Sequence, residues 1–176
     1  MNRNLLMLLR GSAIAAIYIA LVAVVPFVAF GPVQVRVAEA LTITPFFWVE
    51  AIPGLAIGCL ISNLIWSPFG PIDWILGTLA TLIAAILTYA LRKTKQIWLG
   101  AIPPIIINGL IVALYVPFIS SNAFGIDGFK QVFSNFHLTL YLITTGQIAM
   151  GEFLAVGLVG VPLAYALLRR EMNERH

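Results

Sequence analysis

The sequence predicts an all-α integral membrane protein, a single domain over residues 1–176 with six transmembrane helices and both termini cytoplasmic. Three observations carry that expectation. The 176-residue chain is 61% hydrophobic and 10% charged, where soluble domains sit near ~45–50% and ~25%. Its apolar residues fall into six segments, most of them near the ~20 residues that cross a bilayer as a helix. Eight of its ten Lys and Arg fall in three short clusters beside those segments. At ~20 residues per span the length allows about six to eight helices, which leaves no room for a separate soluble enzyme.

The first segment, 11–30, follows a stub with Arg3 and Arg10. Its apolar core is too long for a cleaved signal, and further spans follow. The second, 33–47, is short. The third, 49–66, carries Gly54, Gly58 and Ser62 at four-residue spacing, a small-residue stripe that lets another helix approach closely. The fourth, 72–91, stops at Arg92, Lys93 and Lys95. The fifth, 97–119, contains Pro103-Pro104, and the sixth, 138–168, ends at Arg169 and Arg170. The stretch 120–135 (SSNAFGIDGFKQVFSN) is the only long hydrophilic run and reads as an outer linker.

Six spans put Arg3, Arg10, Arg92, Lys93, Lys95, Arg169, Arg170 and Arg175 on one side and only Arg36 and Lys130 on the other. That eight-to-two split sets the basic side as cytoplasmic. An odd number of spans would leave one basic terminus outside. Trp66 and Trp74 then lie at the outer interface and Trp98 at the inner one. The net charge of +3 is thus a topology signal, and no nucleic-acid partner is expected.

With helix directions fixed, depth follows from the rise per residue. Asn108 lies about 16 Å above the inner face, Asn63 about 21 Å and Glu152 about 25 Å. Tyr115 shares a face with Asn108, and Tyr141 and Thr145 share one with Glu152, by helical spacing. Arg36, Glu39 and Asp73 belong to the outer end. Polar residues therefore converge on the outer half, and a buried charge in a membrane is costly enough to want a partner. The pattern suits an outward-opening pocket for a small polar molecule.

Blander readings stand beside this one. Arg36 and Glu39, three apart, can pair with each other. Asp73, just after Gly70-Pro71, can cap a helix start. Asn63 and Asn108 can be interhelical glue. Glu152 has no local cation and is the hardest to dismiss. His137 and Lys130 read as solvated loop residues, and Cys59 as a packed core thiol. Ser12, Ala16 and Ala20 repeat the small-residue spacing on the first helix, a face suited to docking a partner protein.

The sequence holds no phosphate-cradling glycine loop, no HExxH and no GxSxG. It also lacks the chain of intramembrane acids expected of a self-sufficient pump. An energy source has to come from another chain, or there is none.

The run GPVQVRVAEALTI at positions 31–43, followed by Pro45-Phe46-Phe47, resembles the signature of the queuosine-precursor transporter family. Further matches are Glu50-Ala51-Ile52-Pro53-Gly54, Gly58-Cys59, Gly70-Pro71-Ile72-Asp73, the run GTLATL at 77–82, Pro103-Pro104 with Asn108, and Gly151-Glu152. The resemblance covers nearly the whole chain. It implies the substrate-binding S component of an energy-coupling factor (ECF) importer in the bacterial cytoplasmic membrane. It also implies a membrane-embedded coupling protein and two cytoplasmic ATPases as partners. ATP would be used by those ATPases, and this chain would bind no cofactor and catalyse nothing. Small residues of the first helix, here Ala16 and Ala20 with Ser12, would contact the coupling protein.

The implied cargo is a 7-deazaguanine such as preQ1. One carboxylate can accept paired N–H donors of such a ring, and a second can meet a cationic aminomethyl arm. Glu152 and Glu39 are the available acids. Asn108 can donate and accept at the ring edge. Phe46, Phe47, Trp74 and Tyr115 can stack on it, with Arg36, Asp73 and Tyr141 as further candidates. Two other classes remain: a carrier of another heterocycle or vitamin, alone or as an S component, and a membrane-embedded enzyme, against which the lack of a nucleophile–base pair counts.

Overall fold

The computed structural model describes residues 2–24, 26–30, 35–119 and 126–173. Among the described residues it is all-helical, with no strand. Helix α1 (Arg3–Val24) is followed by a single turn, α2 (Pro26–Ala29). A 3₁₀ helix (Val37–Phe46) then leads to α3 (Ala51–Trp66) and α4 (Pro71–Leu91). A 3₁₀ segment (Ile97–Ala101) runs into α5 (Ile102–Val112). After α6 (Ile126–Ser134), helix α7 (Leu138–Glu152) passes through a π-helical stretch (Phe153–Gly160) into α8 (Val161–Asn173).

The boundaries have local causes. Ser67, before Pro68, is extended (φ −71°, ψ 127°), because proline's ring excludes the helical conformation from the residue ahead of it, and α3 ends there. Gly70 takes φ 61°, a conformation that costs a side-chain-free residue nothing, and Pro71 then starts α4 where no donor is needed. Pro103 and Pro104 occupy the first turn of α5 for the same reason.

Among the described residues, four stretches are long and apolar enough to cross a membrane: Arg3–Val24, Pro71–Thr94, Ile97–Phe118 and Leu138–Arg169. The other two apolar segments are shorter helices, Val37–Phe46 and Ala51–Trp66. The second segment therefore departs from the expected short span at 33–47. Ten residues of 3₁₀ helix at ~2.0 Å each extend only ~20 Å, short of the ~30 Å hydrocarbon core. Residues 33 and 34, and with them 31–34 of the family-like run, lie outside the described residues. The stretch expected as a plain linker, 120–135, also contains structure: α6, an amphipathic helix with an exposed Asp127–Lys130 pair at 3.7 Å.

Helices α1, α3, α4, α5 and α7 pack in sequence, each against the next, and the 3₁₀ helix is laid into the bundle against α1, α4 and the π segment. Every residue from Ala38 to Phe46 is buried. Its carbonyls find internal donors: the Thr42 hydroxyl donates to Glu39 O at 2.6 Å and the Thr44 hydroxyl to Leu41 O at 2.7 Å. Large apolar side chains such as Ile57, Ile75, Leu142 and Leu158 point outward instead, as lipid-facing residues do.

Glycines set the closest approaches. A Cβ on Gly54 would lie 2.5 Å from Gly11 O, and one on Gly58 would lie 2.9 Å from Tyr18 Cβ. The small-residue stripe of α3 is thus an intramolecular seat for α1. Gly160 serves the 3₁₀ helix in the same way, its absent Cβ leaving room for Ala40 O at 2.6 Å. Gly54→Ala should therefore destabilise the fold by about 1–3 kcal/mol through backbone displacement. Gly146→Ala, where a Cβ meets nothing within 4 Å, should stay within about 1 kcal/mol of the parent. Thermal unfolding in detergent micelles compares the two.

Candidate functional site

The 3₁₀ period of three places Glu39, Thr42 and Pro45 in one row, with Arg36 just ahead of it. This row carries two charged residues into the bundle, Arg36 at 6% exposure and Glu39 at 1%. Around them lie two linked polar groups.

The first is centred on Asn108 of α5. Its Nδ2 donates to Glu152 Oε1 at 2.9 Å and to Glu39 Oε2 at 3.4 Å. One side-chain amide thus holds two buried carboxylates from different elements. The Tyr18 hydroxyl of α1 donates to the other Glu39 oxygen at 2.5 Å. Glu152 sits where α7 gives way to the π stretch, and such irregular turns are frequent at functional sites. Glu152 Oε2 and Asn108 Oδ1 are buried with no hydrogen-bond partner.

The second group is centred on Asp73 of α4, which is fully buried. Its carboxylate accepts from the Tyr115 hydroxyl and, at 2.5 Å, from the Ser67 hydroxyl. Arg36 NH2 lies 3.5 Å from Asp73 Oδ2. Arg36 also donates from Nε to Ala29 O at 3.3 Å and stacks over Phe30 at 4.6 Å. Asn63 ties the backbone in, donating to Asp73 O at 3.1 Å. A Cβ on Gly77 would collide with the Asp73 carboxylate and crowd Asn63 Nδ2 at 3.0 Å, so the glycine makes room for the network.

Two expectations need correcting. Asp73 does not cap α4: Gly70 is the N-cap position, with no side-chain cap, and the carboxylate turns into the bundle toward Tyr115, Ser67 and Arg36. Arg36 pairs with Asp73 across elements, while its neighbour Glu39 is held by Tyr18 and Asn108. The structure thus brings Glu39, Asn108 and Glu152 together, with Arg36, Asp73 and Tyr115 alongside.

Other candidates lie apart from these bonds. Phe47 packs against Phe46 and Trp48 and lines a cavity with Arg10 and Arg92. Tyr141 gives its hydroxyl to Leu110 O at 3.3 Å and packs against Phe136. Trp74 is half-buried, with its indole N–H buried and unpartnered. Ser12, Ala16 and Ala20 are exposed on α1. Tyr18 and Ser67 are contributors that reading the sequence missed. The only signal for Tyr18 was a phenol hydroxyl in the middle of an apolar first helix.

Chemically, the Asn108 group is rich in acceptors. Glu39, Glu152 and the Asn108 carbonyl offer lone pairs, and Arg36, the one buried cation among the described residues, is already placed beside Asp73. Such a site suits a ligand that brings several N–H donors or a positive charge.

Apolar helices enclosing a buried, acceptor-rich site place the chain among membrane transport proteins. It matches the QueT transporter family over residues 8–169 and belongs to that family. It is 30% identical over 145 residues to the protein named queuosine precursor transporter QueT from Lactococcus lactis subsp. cremoris (strain MG1363), covering 80% of this chain and 79% of that relative. No solved structure matches it.

Removing Asp73 would leave the Arg36 guanidinium buried without its counter-ion. Asp73→Ala should cost about 3–5 kcal/mol, and the double variant Arg36→Met/Asp73→Ala should recover part of that loss. A double-mutant cycle on thermal unfolding measures the recovery.

Proposed function

We propose that this chain captures a queuosine precursor, a 7-deazaguanine such as preQ1, and acts as the S component of an ECF-type importer. The observation that carries the reading is the single Asn108 amide between Glu39 and Glu152, with Glu152 Oε2 and Asn108 Oδ1 left open as acceptors. Family membership and the name of the lactococcal relative point the same way. In this reading Glu152 accepts paired N–H donors from the pyrimidine edge of the base. Glu39 faces the cationic arm, and Asn108 both orients the two acids and reads the ring edge. Both termini lie in the cytoplasm, six segments form the bundle, and the site takes its ligand from outside.

Transport is driven by partners: a coupling membrane protein and two cytoplasmic ATPases that hydrolyse ATP. The exposed small residues Ser12, Ala16 and Ala20 form the docking face, since close helix approach needs small side chains.

Binding to the purified chain tests the ligand. Wild type should bind preQ1, and Glu152→Gln or Asn108→Ala should weaken it at least about tenfold, the equivalent of ~1.4 kcal/mol from one lost charge-assisted bond. No binding of any 7-deazaguanine by wild type sinks the substrate; unchanged binding in both variants sinks the site. Docking is tested separately. Ala16→Trp and Ala20→Trp should abolish uptake in cells while preQ1 binding to the purified protein is unaltered, and normal uptake in both removes that face from the contact.

A further inference from the structure

At the end of the bundle where α1 begins and α4 ends, Arg3, Arg10 and Arg92 line a cavity of about 450 Å³. Glu50 is the only acid in its wall, so the lining carries three formal positive charges and one negative, a net of +2. Arg10 is engaged, 3.4 Å from Glu50 and stacked over Trp48 at 5.3 Å. Arg92 stacks over Tyr89 at 3.9 Å but faces no carboxylate, and Arg3 has no anionic partner among the described residues. Arg3 and Arg92 therefore line one concave space without an ion-pair partner among the described residues.

The cavity continues sideways. Met7 and Glu50 also line a groove of about 360 Å³ between α1 and α3. The rest of that groove is apolar or small, with Leu8, Ile19, Pro53 and Ile57 among its walls. The arginine cavity thus adjoins a largely apolar groove whose walls include the outward-facing Leu8 and Ile57.

We infer that this pair of cavities binds an anionic phospholipid, with its phosphate among Arg3, Arg10 and Arg92 and one acyl chain in the α1–α3 groove. Guanidinium groups present forked donors that match phosphate oxygens. Trp48 and Tyr89 supply the aromatic surface that settles at headgroup depth. A zwitterionic lipid brings its own ammonium group, which opposes the net +2 of the lining, so an acidic headgroup is selected. The site is separate from the Asn108 group and does not depend on the substrate reading. The groove includes Ser12 and Ala16, so the lipid occupies it when no partner protein is docked there.

The experiment is a lipid titration of the delipidated full chain in detergent, with bound lipid counted by native mass spectrometry. Phosphatidylglycerol should be retained and phosphatidylcholine should not. Arg3→Gln/Arg92→Gln, which leaves the Arg10–Glu50 pair in place, should weaken phosphatidylglycerol about 25-fold, at ~fivefold per arginine. The charge-keeping Arg3→Lys/Arg92→Lys should retain most of the binding, which separates lost charge from a damaged fold. Equal retention of both lipids by wild type, or unchanged affinity in the glutamine variant, overturns the inference. Glycerol phosphate added as competitor distinguishes the sources of the phosphate. Displacement of the lipid at comparable concentration would assign the cavity to a soluble phosphate ester and overturn the lipid assignment; displacement by acidic lipid alone supports it.

Discussion

The bundle is organised around the burial of one short 3₁₀ helix. A segment enclosed in a membrane protein has no water to satisfy its backbone, so each polar group needs an internal partner. Thr42 and Thr44 meet two of the carbonyls from within the segment. The surrounding helices then have to approach the segment closely, and Gly160 and Gly100 provide the space against Ala40, Ile43 and Phe46. Because the 3₁₀ turn repeats every three residues, Glu39 emerges one turn after Arg36, Glu39 bonding to α1 and α5 and Arg36 to α4. The polar site is thus a consequence of how this segment is enclosed.

Sequence pattern reveals the outline of this arrangement and misses its phase. The six apolar segments appear as helical elements over their described residues, and the Gly54–Gly58 stripe could be read as a packing seat because small residues at four-residue spacing have few other uses in an apolar helix. The 3₁₀ character of Val37–Phe46 was not legible. A ten-residue run whose polar residues are Glu39, Thr42 and Thr44 gives too little periodicity to tell one helix type from another. Depth estimates suffered similarly. Ideal α-helical counting separates Asn108 from Glu152 by about 9 Å, yet they are hydrogen-bonded at 2.9 Å. The 3₁₀ turn Ile97–Ala101 rises faster than an α-helix and lifts Asn108, while the wide π turn Phe153–Gly160 compresses the last helix and lowers Glu152.

The polar residues show the same limit. Position in the chain makes Asp73 look like a helix cap, since it follows Gly70-Pro71 at the start of α4. Its actual role depends on Tyr115, 42 residues away, and on Arg36, neither of which sequence spacing relates to it. Tyr18 was invisible for another reason. A tyrosine in an apolar helix ordinarily reads as core or interface filler, and only the arrival of Glu39 gives its hydroxyl a purpose.

The electrostatic balance decides what the site can hold. Arg36 contributes one formal positive charge, and Asp73, Glu39 and Glu152 contribute three negative, so the buried cluster carries a formal −2. Asp73 consumes the one cation and two hydroxyl donors. Glu39 and Glu152 are left with a tyrosine and a shared amide, fewer donors than two carboxylates accept. In a low-dielectric interior that deficit is expensive, and every donor supplied from outside is worth correspondingly more. An apolar ligand would leave the deficit in place and an anion would deepen it. A planar heterocycle with several N–H groups, or one with an amine arm, removes it. Under the function proposed above, selectivity for such ligands would follow from what the folded chain withholds from its own acids.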